Sequence, residues 1–263
     1  MCLILLAYNV HPEYCIILAA NRDEFYVRPT LPMAFWEDHP DILAGRDLKG
    51  GGTWLGITRS GRFSAITNYR EPGGPNPDAP SRGFLVGAFL SGNIPSQTYL
   101  EMVSSVGQTY SGFNLIVGDA SGLFYHSNRK PGIHRLLPGW YGLSNHLLNT
   151  PWPKVEKGIA LLKSAVSDCD PVNMDPIFHL LNNCEVPPDD SLPNTGVGME
   201  WERMLSPMFI QSPGYGTRSS SVMLIGRNGM AQVAEQTFSA ESELGQHPAM
   251  LRSFQFLSLC SVN

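Results

Sequence analysis

The sequence predicts an α+β protein built as a four-layer αββα sandwich, with two antiparallel sheets between layers of helix. Three observations predict it. Strand-like and helix-like segments come in groups (strands, helices, strands, helices, strands), with no βαβ alternation. The first two β runs, residues 2–8 and 14–20, are apolar on both faces, as strands covered on both sides are. Arg59-Ser60-Gly61 and Arg227-Asn228-Gly229 are hairpin turns that join neighbouring strands antiparallel. The 263 residues show no internal repeat and no linker, so 1–263 is expected to be one domain.

Along the chain, a turn over residues 9–13 joins the first two strands. Residues 23–40 carry three prolines and several aromatics and are expected to be irregular. Residues 53–58 and 62–67 form the clearest hairpin, with Gly61 supplying the positive φ of a short loop. A Pro- and Gly-rich loop follows and ends at Ser81, a good N-cap for helices over 82–91 and 96–106. Strands are expected at 113–118, 122–127, 132–137 and 140–144. Residues 152–167 place Val155, Ile159, Leu162 and Val166 on one helical stripe. A second helix over 175–183 follows, then a stretch of weak regular signal over 184–217. Strands at 219–226 and 230–238 complete the pattern.

Composition narrows the function. Hydrophobic residues make up 43% and charged residues 16%, enough to bury a full core, and the net charge is −5. That balance argues against a nucleic-acid binder, which carries a basic patch. No apolar run reaches the ~18–20 residues of a membrane helix. The apolar first residues lack a basic leader, so no signal peptide is expected. The cysteines are Cys2, Cys15, Cys169, Cys184 and Cys260. An odd count with no CxxC points to a reducing compartment, and a cytoplasmic protein is expected. The seven histidines show no metal-binding spacing, and neither a metal nor a cofactor is expected.

Polar residues cluster where apolar strands begin or end. Cys2 opens the first strand directly behind Met1. It is either a small buried hydrophobe or, once Met1 is removed, a thiol carrying its own weak base. An α-amine titrates near 8 and can accept the thiol proton. Asn21-Arg22-Asp23-Glu24 closes the second strand, as a solvated end or as a site. Gly50-Gly51-Gly52 is either an anion-binding nest or a flexible entry to the hairpin; Trp54, just beyond it, is a core or ligand contact. Thr67-Asn68-Tyr69-Arg70 and Ser144-Asn145-His146 each put an asparagine at a strand end, a turn residue or an oxyanion donor. His146 is a substrate or structural contact. Arg218, amid hydroxyls at the start of a late strand, is a structural cap or an anion clamp. Asn21, Trp54, Tyr69 and His146 complete the set as candidate substrate contacts.

These clusters carry a family resemblance. The sequence resembles the NRDE family, that of transport and Golgi organisation protein two. The shared pattern runs from Met1-Cys2 through Asn21-Arg22-Asp23-Glu24, Arg28-Pro29 and Ala44-Gly45-Arg46-Asp47 to Gly50-Gly51-Gly52-Thr53-Trp54-Leu55-Gly56. It continues with Gly61-Arg62, Thr67-Asn68-Tyr69-Arg70, Ser81-Arg82-Gly83, Phe113-Asn114-Leu115, Gly142-Leu143-Ser144-Asn145 and Gly216-Thr217-Arg218-Ser219-Ser220. That family looks related to the cysteine branch of the N-terminal nucleophile hydrolases. The resemblance implies the αββα fold, Cys2 as nucleophile, Arg22 and Asp23 as its charged partners, Asn68 and Asn145 as oxyanion donors and Arg218 as the late arginine. It implies hydrolysis of a small-molecule amide, ester or thioester through an acyl-Cys2 intermediate.

Family members are also linked to haem handling, lipid metabolism and secretory-pathway organisation. A carrier of haem or an acyl, lipid-like compound on the same fold, or an interaction scaffold, is therefore the alternative. One departure matters. In the hydrolase branch the Arg and Asp stand three residues apart; here they are adjacent. Adjacent residues on a regular strand face opposite ways. Either Asn21 with Asp23, or Arg22 with Glu24, is expected to share the site.

Overall fold

The computed structural model describes residues 2–74, 76–167, 171–239 and 248–258. One sheet contains β1 (Cys2–Tyr8), β2 (Tyr14–Phe25), β10 (Gly139–Leu143), β12 (Tyr215–Gly226), β13 (Met230–Thr237) and β14 (Met250–Leu257). Their order is β10-β1-β2-β12-β13-β14, and the short β11 (Gln211–Ser212) pairs with β12. The second sheet is a seven-strand meander in chain order: β3 (Thr30–Phe35), β4 (Ile42–Asp47), β5 (Leu55–Thr58), β6 (Phe63–Asn68), β7 (Phe113–Asp119), β8 (Gly122–Ser127) and β9 (Lys130–Arg135). All the strand pairings are antiparallel.

The helices cover the outer faces. Helices α1 (Gly83–Ser91) and α2 (Ser96–Val106) pack on the second sheet, and α3 (Pro153–Val166) and α4 (Met174–Leu181) on the first. A short α5 (Met199–Met204) lies in the stretch of weak signal.

The double apolar character of β1 and β2 has a direct reading in the layers. Ile4, Leu6, Ile16, Leu18 and Ala20 meet Leu43, Leu55, Phe63 and Ala65 of the facing sheet. The alternate residues Leu3, Leu5, Ile17 and Ala19 meet Val155 and Leu162 of α3 and Ile177 and Leu181 of α4. Each fully buried aliphatic side chain contributes about 1.5–3 kcal/mol. A one-residue slip would exchange the two cores, so the register is strongly held. The predicted stripe on α3 holds for Val155, Leu162 and Val166, with Ile159 partly buried against the same core.

Three expectations are corrected. Residues 23–40 are not irregular throughout: β2 runs on to Phe25 and β3 occupies Thr30–Phe35. β3 is an edge strand, its pairing with β4 shifts between Leu31 and Ala34, and most of its residues are only partly buried. Pro32 sits within that shift, where a missing N–H is tolerated, and no apolar alternation marks the strand. β4 and β14 also went without a sequence signal. Ser81 makes no side-chain cap: the N-cap position of α1 falls on Arg82. Gly50-Gly51-Gly52 is not an open nest, because Asp47 fills it. The Lys49 and Gly50 amides donate to Asp47 Oδ1, and the Gly51 amide to its carbonyl. Gly52 lies so close to the Gly83 backbone that a Cβ there would stand 2.3 Å from it. The glycines let two loops touch.

Candidate active site

The strand ends at one edge of the sandwich surround a cavity of about 830 Å³. Of the residues singled out from the sequence, Cys2, Arg22, Asp23, Trp54, Asn68 and Arg218 line it. The period of the strands decides where β1 and β2 send their polar ends. Cys2 continues the inter-sheet series Ile4, Leu6, Tyr8, and Arg22 and Glu24 continue Ile16, Leu18, Ala20. Cys2 and Arg22 are direct cross-strand partners. Asn21 and Asp23 continue the other series, toward α3 and α4.

On the inter-sheet side, charges bridge the two sheets. Arg22 lies 3.7 Å from Asp47 of β4 and 3.8 Å from Glu24, and Arg28 lies 2.7 Å from Asp47. The Cys2 thiol is buried, and burial pushes its pKa up. Arg22 pulls it down and Asp23 raises it further, but desolvation is the largest cause. Left to its surroundings, the sulfur holds its proton. Glu235 of β13, unmarked in the sequence, also lines the cavity. It accepts from the Met33 amide at 2.6 Å, tying the two sheets together, and burial raises its pKa.

On the helix side the polar contacts hold the strand end, and Asp23 also lines the cavity. Asn21 does not line the cavity. Its amide donates to the Leu181 and Met208 carbonyls at 2.9 and 2.8 Å, and its oxygen accepts from Ser220 at 2.6 Å. Asp23 accepts from Thr217 Oγ1 at 2.7 Å, and burial raises its pKa. Below it lies Lys154 of α3, whose ammonium donates to the Leu205 carbonyl at 2.7 Å. Burial brings this lysine from its ordinary 10.5 down to about 8, partly opposed by the charge of Asp23. Arg70 and Glu202 form a buried ion pair at 2.5 Å, and Glu202 also accepts from the Thr195 amide and hydroxyl.

Arg218 owes its position to a bulge. Thr217 pairs with Asp23 and Ser219 with Arg22, so Arg218 is the extra residue of β12. Bulges of this kind re-aim a side chain. Its Nη1 donates to the carbonyls of Phe25, Tyr26 and Arg28 at 3.0–3.1 Å. It clamps the β2–β3 connection.

The two asparagines are linked. Asn145 Nδ2 donates to the Asn68 carbonyl at 2.9 Å, so Asn145 sets the backbone of the residue that faces the cavity and does not line it itself. It stays next to Cys2, since Ser144 Oγ donates to the Cys2 carbonyl at 3.2 Å. Tyr69 and His146 do not line the cavity. Their rings pack at a tilt with centroids 4.9 Å apart, and His146 Nδ1 bonds Thr150 at 2.8 Å. Trp54 lines the cavity and packs against both the inter-sheet core and the α1–α2 core.

Arg82 is the notable addition. It lines the cavity, burial lowers its pKa, and Cys2 is the largest influence in the opposite direction. Its place in the shared Ser81-Arg82-Gly83 pattern was the signal available in the sequence. Of the other cysteines, Cys15 is buried and donates to the Ile225 carbonyl, and Cys184 is exposed. Cys169 and Cys260 lie outside the described residues. Among those residues no helix is long and apolar enough to cross a membrane.

The family model described as Transport and Golgi organisation 2 matches residues 1–240. The mouse Transport and Golgi organization 2 homolog is 37% identical, covering 90% of this chain and 93% of its own length. The human homolog is 39% identical, with 90% and 93% covered. Among solved structures, the *Caenorhabditis elegans* N-acylethanolamine-hydrolyzing acid amidase ortholog aligns over 85% of this chain and 92% of its own, at 14% identity with a TM-score of 0.50. That likeness is one of fold.

Proposed function

We propose that this chain, which belongs to the Transport and Golgi organisation 2 family, is an N-terminal nucleophile amidohydrolase acting on a small-molecule acyl compound through Cys2. One observation carries the reading. Cys2 begins its strand, sends its thiol into the cavity, and has Arg22 directly across the ladder.

In the proposed reaction Met1 is removed and the Cys2 α-amine becomes the base. Asp23, one residue beyond Arg22 on the opposite face, orients that amine. The amine takes the thiol proton, directly or through water, and the sulfur attacks the substrate carbonyl. A protonated resting thiol suits this sequence, because the proton leaves only as the S–C bond forms. The Asn68 amide stabilises the oxyanion, with Asn145 holding Asn68 in place. The C–N bond breaks and the amine departs with the proton held by the α-amine. Water then cleaves the thioester, releasing a carboxylic acid and restoring the thiol. The structural neighbour's name, an acid amidase hydrolysing N-acylethanolamines, supports the reaction type.

The test is intact mass of untagged protein before and after a β-lactone acylating probe, with peptide mapping. The expected result is loss of Met1 and one acyl adduct on Cys2, absent from Cys2→Ala. Retention of Met1 in functional protein, or labelling of Cys184 alone, sinks the mechanism. A ligand held equally by wild type and Cys2→Ala, with no adduct, supports the carrier instead.

A further inference from the structure

The cavity's charge runs against that of the chain. The sequence carries a net −5, yet six cationic side chains and four carboxylates line the cavity. Pairing sorts the six. Arg46 is held by both oxygens of Asp38 at 2.7 and 2.6 Å. Arg22 and Arg28 share Glu24 and Asp47. Arg218 is turned onto three carbonyls. Arg82 and Lys49 remain, and among the described residues neither forms an ion pair.

The remaining carboxylates are committed elsewhere. Asp23 bonds Thr217 on the helix side, and Glu235 bonds the Met33 amide. Arg82 is half-buried, and among the described residues its guanidinium makes one hydrogen bond, from Nη1 to the Gly112 carbonyl at 2.9 Å. A guanidinium offers five N–H groups in a fork that matches carboxylate and phosphate oxygens. Four are unspent. Glu24 and Glu71 act on Arg82 from beyond ion-pair distance, and a cation partly withdrawn from water without a contact partner is stabilised when an anion enters. Lys49 is exposed at the rim, where it adds attraction for the same charge. The lining also includes Leu31, Trp54 and Phe238, which suit an apolar chain. A cavity of about 830 Å³ lies within the usual range for small-molecule sites.

We propose that the cavity takes an anionic acyl compound, its carboxylate or phosphate group held by Arg82 with Lys49 at the rim, and its apolar chain against Leu31 and Trp54. This deepens the hydrolase reading by naming the substrate class. It rests on the same cavity but not on the chemistry of Cys2.

The experiment is calorimetric titration of the full-length Cys2→Ala protein, which binds without turning over. The probes are octanoate, octyl phosphate and neutral octanamide, each at low and high salt. One of the two anions is expected to bind at least about tenfold more tightly than octanamide, an advantage that shrinks in high salt. Whichever anion wins identifies the group as carboxylate or phosphate. Arg82→Gln in the same background should abolish the preference, and Arg82→Lys, which keeps the charge, should recover part of it. Equal binding of octanamide, a preference that survives Arg82→Gln, or no binding of any probe overturns the proposal. If Arg82→Gln fails to fold, the Arg82→Lys titration and the salt dependence decide. An anion preference without any acyl adduct on Cys2 would remove the hydrolase and leave this inference standing.

Discussion

The two faces of the β2 end make opposite uses of the same kind of residue. Asn21 and Asp23 turn toward the helices, where their polar atoms meet the Leu181 and Met208 carbonyls, Ser220 and Thr217, although Asp23 also lines the cavity. Arg22 and Glu24 face the cavity, where Arg22 sits 3.7–3.8 Å from its carboxylates, a looser grip. The helix face is a closed polar network that fixes the strand end. The cavity face keeps donors in reserve. Residues of one motif thus divide between scaffold and cavity lining, with Asp23 in both, and a shared sequence pattern alone does not separate the two.

The sharpest way to break the comparison is to attack the helix face. Glu202→Ala leaves Arg70 charged and buried, which should cost about 3–5 kcal/mol in urea unfolding. A negligible loss would mean this layer does not hold the fold.

Lys154 tests the same layer by pH. Its folded pKa of about 8 lies below its ordinary 10.5, so between these values the unfolded chain binds more protons. Stability therefore carries a full penalty below pH 8 and gains as pH rises through that window. The gain amounts to roughly 3 kcal/mol at most. Lys154→Met should flatten that slope relative to wild type in denaturation series from pH 7.5 to 10.5; parallel curves would show that the amine is not buried in its charged form.

On the cavity face the effects should fall on turnover. Once a substrate is in hand, Asn68→Ala should lower kcat by on the order of 10²-fold, the usual cost of one oxyanion donor, with the melting temperature little changed. A large fall in stability with intact kcat would make Asn68 part of the scaffold.

The smallest effect concerns Arg22. Its charge lowers the Cys2 pKa against the larger push of burial. Arg22→Ala should shift the pH profile of Cys2 alkylation to higher pH, while its spaced ion pairs cost about 1 kcal/mol or less of stability. An unmoved profile would separate Arg22 from the thiol.

Much of this was legible in advance. The double apolar faces of β1 and β2, the hairpins, and the helix over α3 follow from side-chain periods of 2 and 3.6, which are local properties of the chain. The same period implied that Arg22 and Asp23 part company, and placed Asn21 with Asp23 and Arg22 with Glu24. It could not say that Arg22, Asp23 and Glu24 would line the cavity and Asn21 would not, because both faces of β2 are apolar and look alike in one dimension. Edge strands β3 and β14 escaped notice because burial on them is partial and no alternation is enforced.

The sequence by itself determined the layer order, the register-bearing strands and the cluster of polar residues that closes them, since hydrophobic pattern and turn chemistry act over a few residues. Only the tertiary structure decided where the side chains of those residues go and what they meet. Arg218 turns onto carbonyls through a bulge visible only in the pairing with β2. Glu235 reaches Met33 across 202 positions, and Glu202 reaches Arg70 across 132. Among the described residues Arg82 forms no ion pair, and Glu24 and Glu71 act on it only at longer range because their closest partners are other arginines. Burial and charge balance are sums over everything nearby in space, and the chain order does not record that sum.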